Sequence, residues 1–188
     1  MSGTLFYLIG ASGSGKDSLL QGCRARLESE SHTLTAHRFI TRAAGAGGEN
    51  HVHLTETEFA QRVKGGLFAM HWASHNHLYG ISREIDSWLD AGFNVLVNGS
   101  REYLPRALAR YDELIPVMIE VKPELLRERL IRRGRESSAE IEQRLLRHQQ
   151  LLHQLPEGTL FVDNSGTLEQ GIESLMQIIN HNCWQPTP

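Results

Sequence analysis

The stretch LFYLIGASGSGKDSLL, Leu5 to Leu20, decides the fold. Leu5 to Ile9 is an uninterrupted apolar run, as a strand buried on both faces requires. Gly10, Gly15 and Lys16 then fall at the spacing GxxxxGK, with Gly13 as an extra glycine. Beyond them Leu19, Leu20, Cys23 and Leu27 recur on one face of a helix expected from Asp17 to about Glu30. Strand, glycine-rich turn and helix form the setting in which this spacing marks a phosphate-binding loop. Glycines let backbone N–H groups turn inward around phosphate oxygens. The helix N-terminus adds its dipole, and Lys16 brings a point charge to the β- and γ-phosphates. Gly10, Ala11, Ser12, Gly13, Ser14, Gly15, Lys16, Asp17 and Ser18 are therefore the expected ATP contacts, with Lys16 catalytic.

Asp17 departs from the usual loop, in which a hydroxyl after the lysine holds Mg²⁺. Here the hydroxyl arrives only at Ser18. A carboxylate is a better ligand for a hard cation than a hydroxyl. It is also favoured in the first helical turn. Two readings stay open: Asp17 serves Mg²⁺, directly or through water, or Asp17 is a helix acid and Ser18 serves the metal. A later buried strand in phosphotransferases of this type usually ends in an acid. The corresponding strand, in NVLVNGSR, ends at Asn98. An uncharged Asn98 can bond water or a sugar hydroxyl, and an acid at Asp17 would compensate for the missing one.

The bulk numbers suit this reading. A chain of 188 residues allows one domain with a full core. Hydrophobic residues make up 40% and charged ones 22%, as in soluble globular proteins. The formal net charge of -3 excludes a global basic field for nucleic acid. Cys23 and Cys183 form no CxxC or metal spacing and read as free thiols. Histidines are scattered, with no HExxH, so no structural metal is expected. The N-terminal stretch lacks a basic n-region, and its apolar run is too short to span a bilayer. The expectation is a cytoplasmic protein whose partners are small molecules, with no nucleic acid and no membrane.

Further strands are expected at Thr35 to Ile40, Leu67 to Trp72, Leu78 to Ile81, Phe93 to Val97, Ile115 to Val121 and Leu160 to Val162. Pro116 is awkward in the fifth of these. Helices are expected at Glu56 to Lys64, capped by Thr55, at Arg83 to Ala91, capped by Ser82, and around Tyr103 to Tyr111. Pro123 to Arg133, Ala139 to Leu155 and Thr167 to about His181 complete the helices. Gly45 to Asn50 reads as a loop, and the WQPTP tail as a frayed end. Strands alternating with helices give an α/β fold with a central parallel sheet. The expected organisation is one domain, 1–188. Its core is 1–34, 82–126 and 156–188, with an acceptor-binding insertion at about 35–81 and a lid at about 127–155.

Matches beyond the loop resemble the guanylate-kinase fold. Thr41-Arg42 is similar to that family's TTR motif, Gly48-Glu49 to its GE turn, and Arg133-Gly134 to the start of its lid. Glu58-Phe59, Gly66-Leu67-Phe68, Leu78-Tyr79-Gly80 and Ile141 to Leu145 follow at the family's spacing. Features that read a guanine base are partly absent: AAGAG stands where a second arginine is usual, and Asn98 where an acid is. A closer resemblance is to the ribose 1,5-bisphosphate phosphokinases of bacterial phosphonate degradation. GKDSLL, TR…ENH, Glu84 to Arg101 with its VLVNGSR, and RGRE at Arg133 to Glu136 carry it. That resemblance implies transfer from ATP to ribose 1,5-bisphosphate, an acceptor with two phosphates and no base. The product would be 5-phospho-α-D-ribose 1-diphosphate. A nucleoside monophosphate kinase is the alternative. A non-catalytic module of the same fold is disfavoured, because Lys16, Arg133 and Arg135 are all kept.

On this reading Arg42, Tyr79, Asn98 and Arg101 bind the acceptor. A planar guanidinium grips phosphate through two bonds. The scattered histidines at 51, 53, 71, 75 and 77 read as polar surface. Between Arg127 and Arg147 arginines cluster, and Arg129 with Arg133 makes a like-charge i,i+4 pair. Such a pair suits a lid that closes on the transferring phosphate, with Gly134 as hinge. Arg133 and Arg135 are the expected catalytic arginines, and Arg129 and Arg144 the ATP-side ones. Asp163-Asn164-Ser165 falls where the family's adenine-side loop lies.

Overall fold

The computed structural model describes residues 2–27, 31–43, 50–134, 137–152 and 154–182. Arg135, the Gly48-Glu49 turn, Cys183 and the WQPTP tail lie outside them, as does the side chain of Arg147.

Strand β1 (Leu5–Gly10) is the centre of a five-stranded sheet, with β2 (Thr33–Thr35), β7 (Asn94–Asn98), β8 (Leu114–Glu120) and β9 (Leu160–Asp163). The order is β2-β7-β1-β8-β9 and every pairing is parallel. Successive side chains of a strand point to opposite faces, so the apolar run of β1 feeds two cores. Leu5, Tyr7 and Ile9 join Ile85, Leu89, Val95, Val97 and Met118 on one face. Phe6 and Leu8 join Leu19, Cys23, Leu96, Ile172 and Leu175 on the other. The second face is covered by α1 (Lys16–Arg26) and α7 (Leu168–Asn182). Cys23 belongs to that core, and burial pushes its thiol up to about 12. The first face is covered by α3 (Glu84–Asp90) and α4 (Leu104–Leu108), the latter shorter than its sequence pattern implies.

A second sheet has the order β4-β3-β6-β5, with β3 (Arg38–Ile40), β4 (Val52–His53), β5 (Phe68–Ser74) and β6 (His77–Ser82). The single strand expected from Thr35 to Ile40 is thus two pieces in two sheets. Ala36 still bonds Leu96 through its N–H at 2.9 Å, and the chain then leaves for β6. TAHRFI contains no glycine or proline, so nothing local marks the exit. The β5–β6 turn places His75 and Asn76 at φ 47° and 61°, as a tight hairpin needs. Against this sheet packs α2 (Glu56–Lys64), whose N-terminus is capped as expected: Thr55 Oγ1 accepts from Glu58 N at 3.1 Å. Ser82 Oγ likewise accepts from Glu84 N at 3.3 Å. Pro116 is accommodated in β8 because pairing to β9 begins only at Val117.

Helices α5 (Pro123–Arg133) and α6 (Ser138–Leu152) share a separate small core. Leu126, Leu130, Ile141 and Leu145 pack there with Ala11 and Val121. The arginine-rich pair therefore lies directly over the glycine-rich loop. Among the described residues no helix is long and apolar enough to cross a membrane. No group of three or more His, Cys, Asp or Glu that could hold a metal occurs among them either.

Candidate active site

The glycine-rich loop lies between the end of β1 and the start of α1. Gly15 is the N-cap of α1 and sits at φ 90°. A Cβ there would stand 2.5 Å from Asn164 Nδ2, so both conformation and space demand glycine. A glycine cap has no side chain to satisfy the first-turn N–H groups, which suits an anion at this helix end. Lys16 Nζ donates to Gly10 O at 2.9 Å and Ala11 O at 3.0 Å, which folds the ammonium across the loop. Behind it, buried Asn164 donates through Nδ2 to Ser14 O at 2.7 Å. Arg129 Nη2 donates in turn to Asn164 O at 3.0 Å. The Asp163-Asn164-Ser165 turn is therefore the prop of the loop, and Arg129 reaches the loop through it.

Asp17 is engaged from two sides. Asn98 Nδ2 at the end of β7 donates to its Oδ1. Arg38 Nη2, from β3, reaches the same oxygen at 3.2 Å. Asn98 is buried, and its own Oδ1 has no partner among the described residues. A neutral amide is what this position needs, because a carboxylate would face Asp17 with like charge.

From here opens a cleft of about 700 Å³. The phosphate loop, Lys16, Asp17 and Ser18 form one wall. Arg38, Arg42, Tyr79, Asn98 and Arg101 lie along the rest, and Arg133 and Arg144 reach it from α5 and α6. The backbone carbonyl of Arg42 accepts from His51 Nε2 at 3.0 Å and from His53 Nδ1 at 2.9 Å. These two histidines thus fix the segment carrying Arg42 rather than merely facing water. Thr41 ties the same segment to β6, its Oγ1 accepting from Leu78 N at 2.9 Å. Arg101 leaves the turn after β7, which is held by Tyr7: Ser100 N donates to Tyr7 Oη at 3.0 Å, and that hydroxyl donates to Ser100 O at 3.0 Å. Burial lowers the pKa of Arg101, and its Nη1 has no partner among the described residues. A partly buried guanidinium with an unpartnered Nη1 is suited to an anionic ligand, although the Glu102 carboxylate beside it offsets part of its charge.

Helices α5 and α6 contribute from above. Arg133 Nη1 donates to Ser12 Oγ at 3.0 Å, so the end of α5 touches the loop. Arg127 holds α6 by a two-bond pair with Glu142, at 2.8 and 2.9 Å. Gly134 caps α5 at φ 64°, where the chain turns back. Of the expected site residues that are described, all but Ala11, Ser14 and Arg129 line this cleft; Ala11 and Ser14 are buried in the loop, and Arg129 stands behind it.

Two residues escaped the sequence reading. Arg38 lies in a short β run, and the period of two that places it on a face with Ile40 and Arg42 was its only signal. His148 follows Arg144 by one helical turn on α6 and is 4% exposed. Burial first, then the positive charges of Arg101 and Lys16, hold its pKa below the ordinary imidazole value. Its closeness to those two cations is tertiary and leaves no local trace.

No protein-family model matches the chain. Among curated proteins, Ribose 1,5-bisphosphate phosphokinase PhnN of Desulfomicrobium baculatum is 51% identical, over 93% of this chain and 93% of that one. The protein of the same name from Thiobacillus denitrificans is 50% identical, over 95% of this chain and 93% of its own. That from Yersinia pestis is 48% identical, over 93% and 90%. Among solved structures, guanylate kinase from Anaplasma phagocytophilum superposes with a TM-score of 0.75 over 98% of this chain and 88% of that one. At 15% identity the likeness is one of fold, an α/β fold of guanylate-kinase type.

Proposed function

The chain belongs to the ribose 1,5-bisphosphate phosphokinase family, and we propose that its cleft transfers the γ-phosphoryl group of ATP to a phosphate of ribose 1,5-bisphosphate, giving ADP and 5-phospho-α-D-ribose 1-diphosphate. One observation carries this beyond the relatives' name. The cleft brings together phosphate-binding groups from separate elements, Lys16 and the glycine-rich loop, Arg42 just beyond β3 and Arg101 after β7, with neutral Asn98 also on its lining.

Phosphoryl transfer asks for positioning and charge neutralisation more than covalent chemistry. Lys16 and the loop amides hold the ATP phosphates. Arg133 and Arg144 offset the charge that develops on the transferred group, with Arg135 assigned beside them from its sequence position. Arg42, Arg101 and the Tyr79 hydroxyl hold the acceptor. Its attacking oxygen belongs to a phosphate that is already ionised, so the site needs no strong general base.

The donor set fits Mg²⁺. Asp17 keeps 42% of its side chain exposed beside Ser18, and both residues line the cleft. Both are hard oxygen ligands on the first turn of α1. When bound, the cation neutralises charge on the β- and γ-phosphates. In this reading β3–β6 and α2, within about 35–81, are the acceptor arm and 127–155 the lid, on a core of 1–34, 82–126 and 156–188.

The test is ADP formation with ribose 1,5-bisphosphate against GMP at equal concentration. Faster turnover with the sugar bisphosphate is expected. Faster turnover with GMP overturns the reading in favour of a nucleoside monophosphate kinase.

A further inference from the structure

Strand β6 lies between β5 and β3. Tyr79 on β6 is paired directly with Trp72 on β5 and with Ile40 on β3. Arg38 is two residues before Ile40, so it shares Ile40's face of the sheet and sits diagonal to Tyr79. The side chains follow this register. Trp72 stacks on Tyr79 with centroids 5.8 Å apart and planes 3° apart. The guanidinium carbon of Arg38 lies over the Tyr79 ring, 5.3 Å from its centroid. Trp72 also contacts Tyr103, centroids 5.8 Å apart. A row Tyr103–Trp72–Tyr79–Arg38 thus runs from the start of α4 in the core onto the second sheet and ends in a cation. That cation has only 12% of its side chain exposed and meets Asp17 at 3.2 Å, long for a charge-assisted pair.

We propose that Arg38 is the specificity residue of the acceptor site: braced on the ring of Tyr79, it binds a phosphate of a base-free sugar phosphate, while the row it terminates leaves no face of Tyr79 for a nucleobase. Its position separates it from the ATP-side cations. It stands on the same sheet as Tyr79, two residues past Ala36 where the chain leaves the core, and belongs to neither loop nor lid. A ring beneath the guanidinium limits its rotamers, so little side-chain freedom is lost on binding. A phosphate dianion competes well with Asp17, whose bond to this fork is long and falls on a carboxylate oxygen that Asn98 also shares. Nucleobases stack on open ring faces, and here β5 occupies one side of Tyr79 and Arg38 the other.

This inference rests on the reading of the site as a sugar bisphosphate kinase, and the experiment separates the two. Steady-state kinetics of wild type, Arg38→Ala, Arg38→Lys and Arg38→Gln are measured with ribose 1,5-bisphosphate and ATP varied in turn. Calorimetry measures GMP binding to the wild type. Arg38→Ala should raise the KM for ribose 1,5-bisphosphate at least about tenfold, the weight of one charge-assisted hydrogen bond. The KM for ATP should move less than about threefold, because the ATP-side cations remain. Arg38→Lys should recover only part of the loss, since it restores charge without the fork. Arg38→Gln, which keeps the stem, serves if the alanine variant does not fold. An unchanged acceptor KM in these variants, with an active wild type, overturns the role of Arg38 alone. Saturable GMP binding to the wild type overturns the exclusion of bases. A wild type that does not turn over ribose 1,5-bisphosphate overturns the parent reading and this one with it.

Discussion

Asn98 donates its side-chain amide to the carboxylate of Asp17, joining the end of the central strand β7 to the first turn of the phosphate-loop helix. The two positions form one unit, an acid on the loop and an amide on the strand. Replacing Asn98 by Asp would set two carboxylates against each other, with Arg38 the cation that already meets Asp17. Asn98→Asp should lower stability by about 1 kcal/mol without divalent cation, or about 2–4 °C in Tm. Mg²⁺ should restore more of that loss than it adds to the wild type. Thermal melts with and without Mg²⁺ read this directly, and equal Mg²⁺ responses would count against it.

The same unit bears on the metal. Asp17→Ala removes one hard oxygen donor and leaves Ser18. The Mg²⁺ concentration for half-maximal rate should rise several-fold, while the acceptor KM changes less. Titration of the rate with Mg²⁺ at saturating ATP is the measurement. An unchanged Mg²⁺ requirement would assign the metal to Ser18 and leave Asp17 as the partner of Asn98 and Arg38.

Lys16→Met keeps the stem and removes the ammonium that crosses the loop to Gly10 O and Ala11 O. A preorganised donor lost from a charge-developing site costs about 10²–10³ in kcat. Far-ultraviolet circular dichroism should stay that of the wild type, because β1 and α1 are held by their apolar faces. Near-normal turnover would remove Lys16 from the reaction.

Arg133 reaches Ser12 on the loop from an otherwise exposed helix end. Arg133→Ala should therefore lower kcat by about 10²-fold while changing stability by no more than about 0.5 kcal/mol. Ser12→Ala removes the hydroxyl that Arg133 meets but leaves the loop's backbone amides, through which Ser12 would contact ATP, so kcat should stay within about threefold. Equal loss in both variants would mean that Arg133 acts by latching the lid rather than on the phosphates.

Much of this was legible because it is local. The apolar run of β1, the loop glycines and the face of Leu19, Leu20 and Cys23 are spaced in sequence as they are used in space. Pro123 to Arg133 and Glu56 to Lys64 form the helices their patterns imply. The branch point at Ala36-His37 was not legible, because a strand that changes sheets keeps its β-forming composition. Arg38 was hidden by the same break: its partners Asp17 and Tyr79 lie 21 residues before it and 41 after it in the chain. Asn164 and Asn98 look like ordinary strand-end polar residues until the loop they brace is folded onto them.

His148 gives the last prediction. It is buried in α6, its Nδ1 without a partner among the described residues, near Arg101 and Lys16. Burial and those cations depress its pKa in the folded protein. In the unfolded chain it returns to the ordinary value of about 6.5. Between the two values the unfolded chain binds a proton that the folded one does not, so stability falls with pH there. The contribution is complete above about pH 6.5 and is lost as the pH drops below it. His37, also depressed mainly by burial, acts in the same direction, so the variant is compared with the wild type rather than with a flat line. His148→Gln keeps a polar side chain of similar reach without a titrating ring. Its loss of Tm from about pH 7.5 to about pH 5 should be smaller than that of the wild type. Parallel curves for the two proteins would show that His148 carries its proton in the folded state, and with it that Arg101 and Lys16 do not oppose one there.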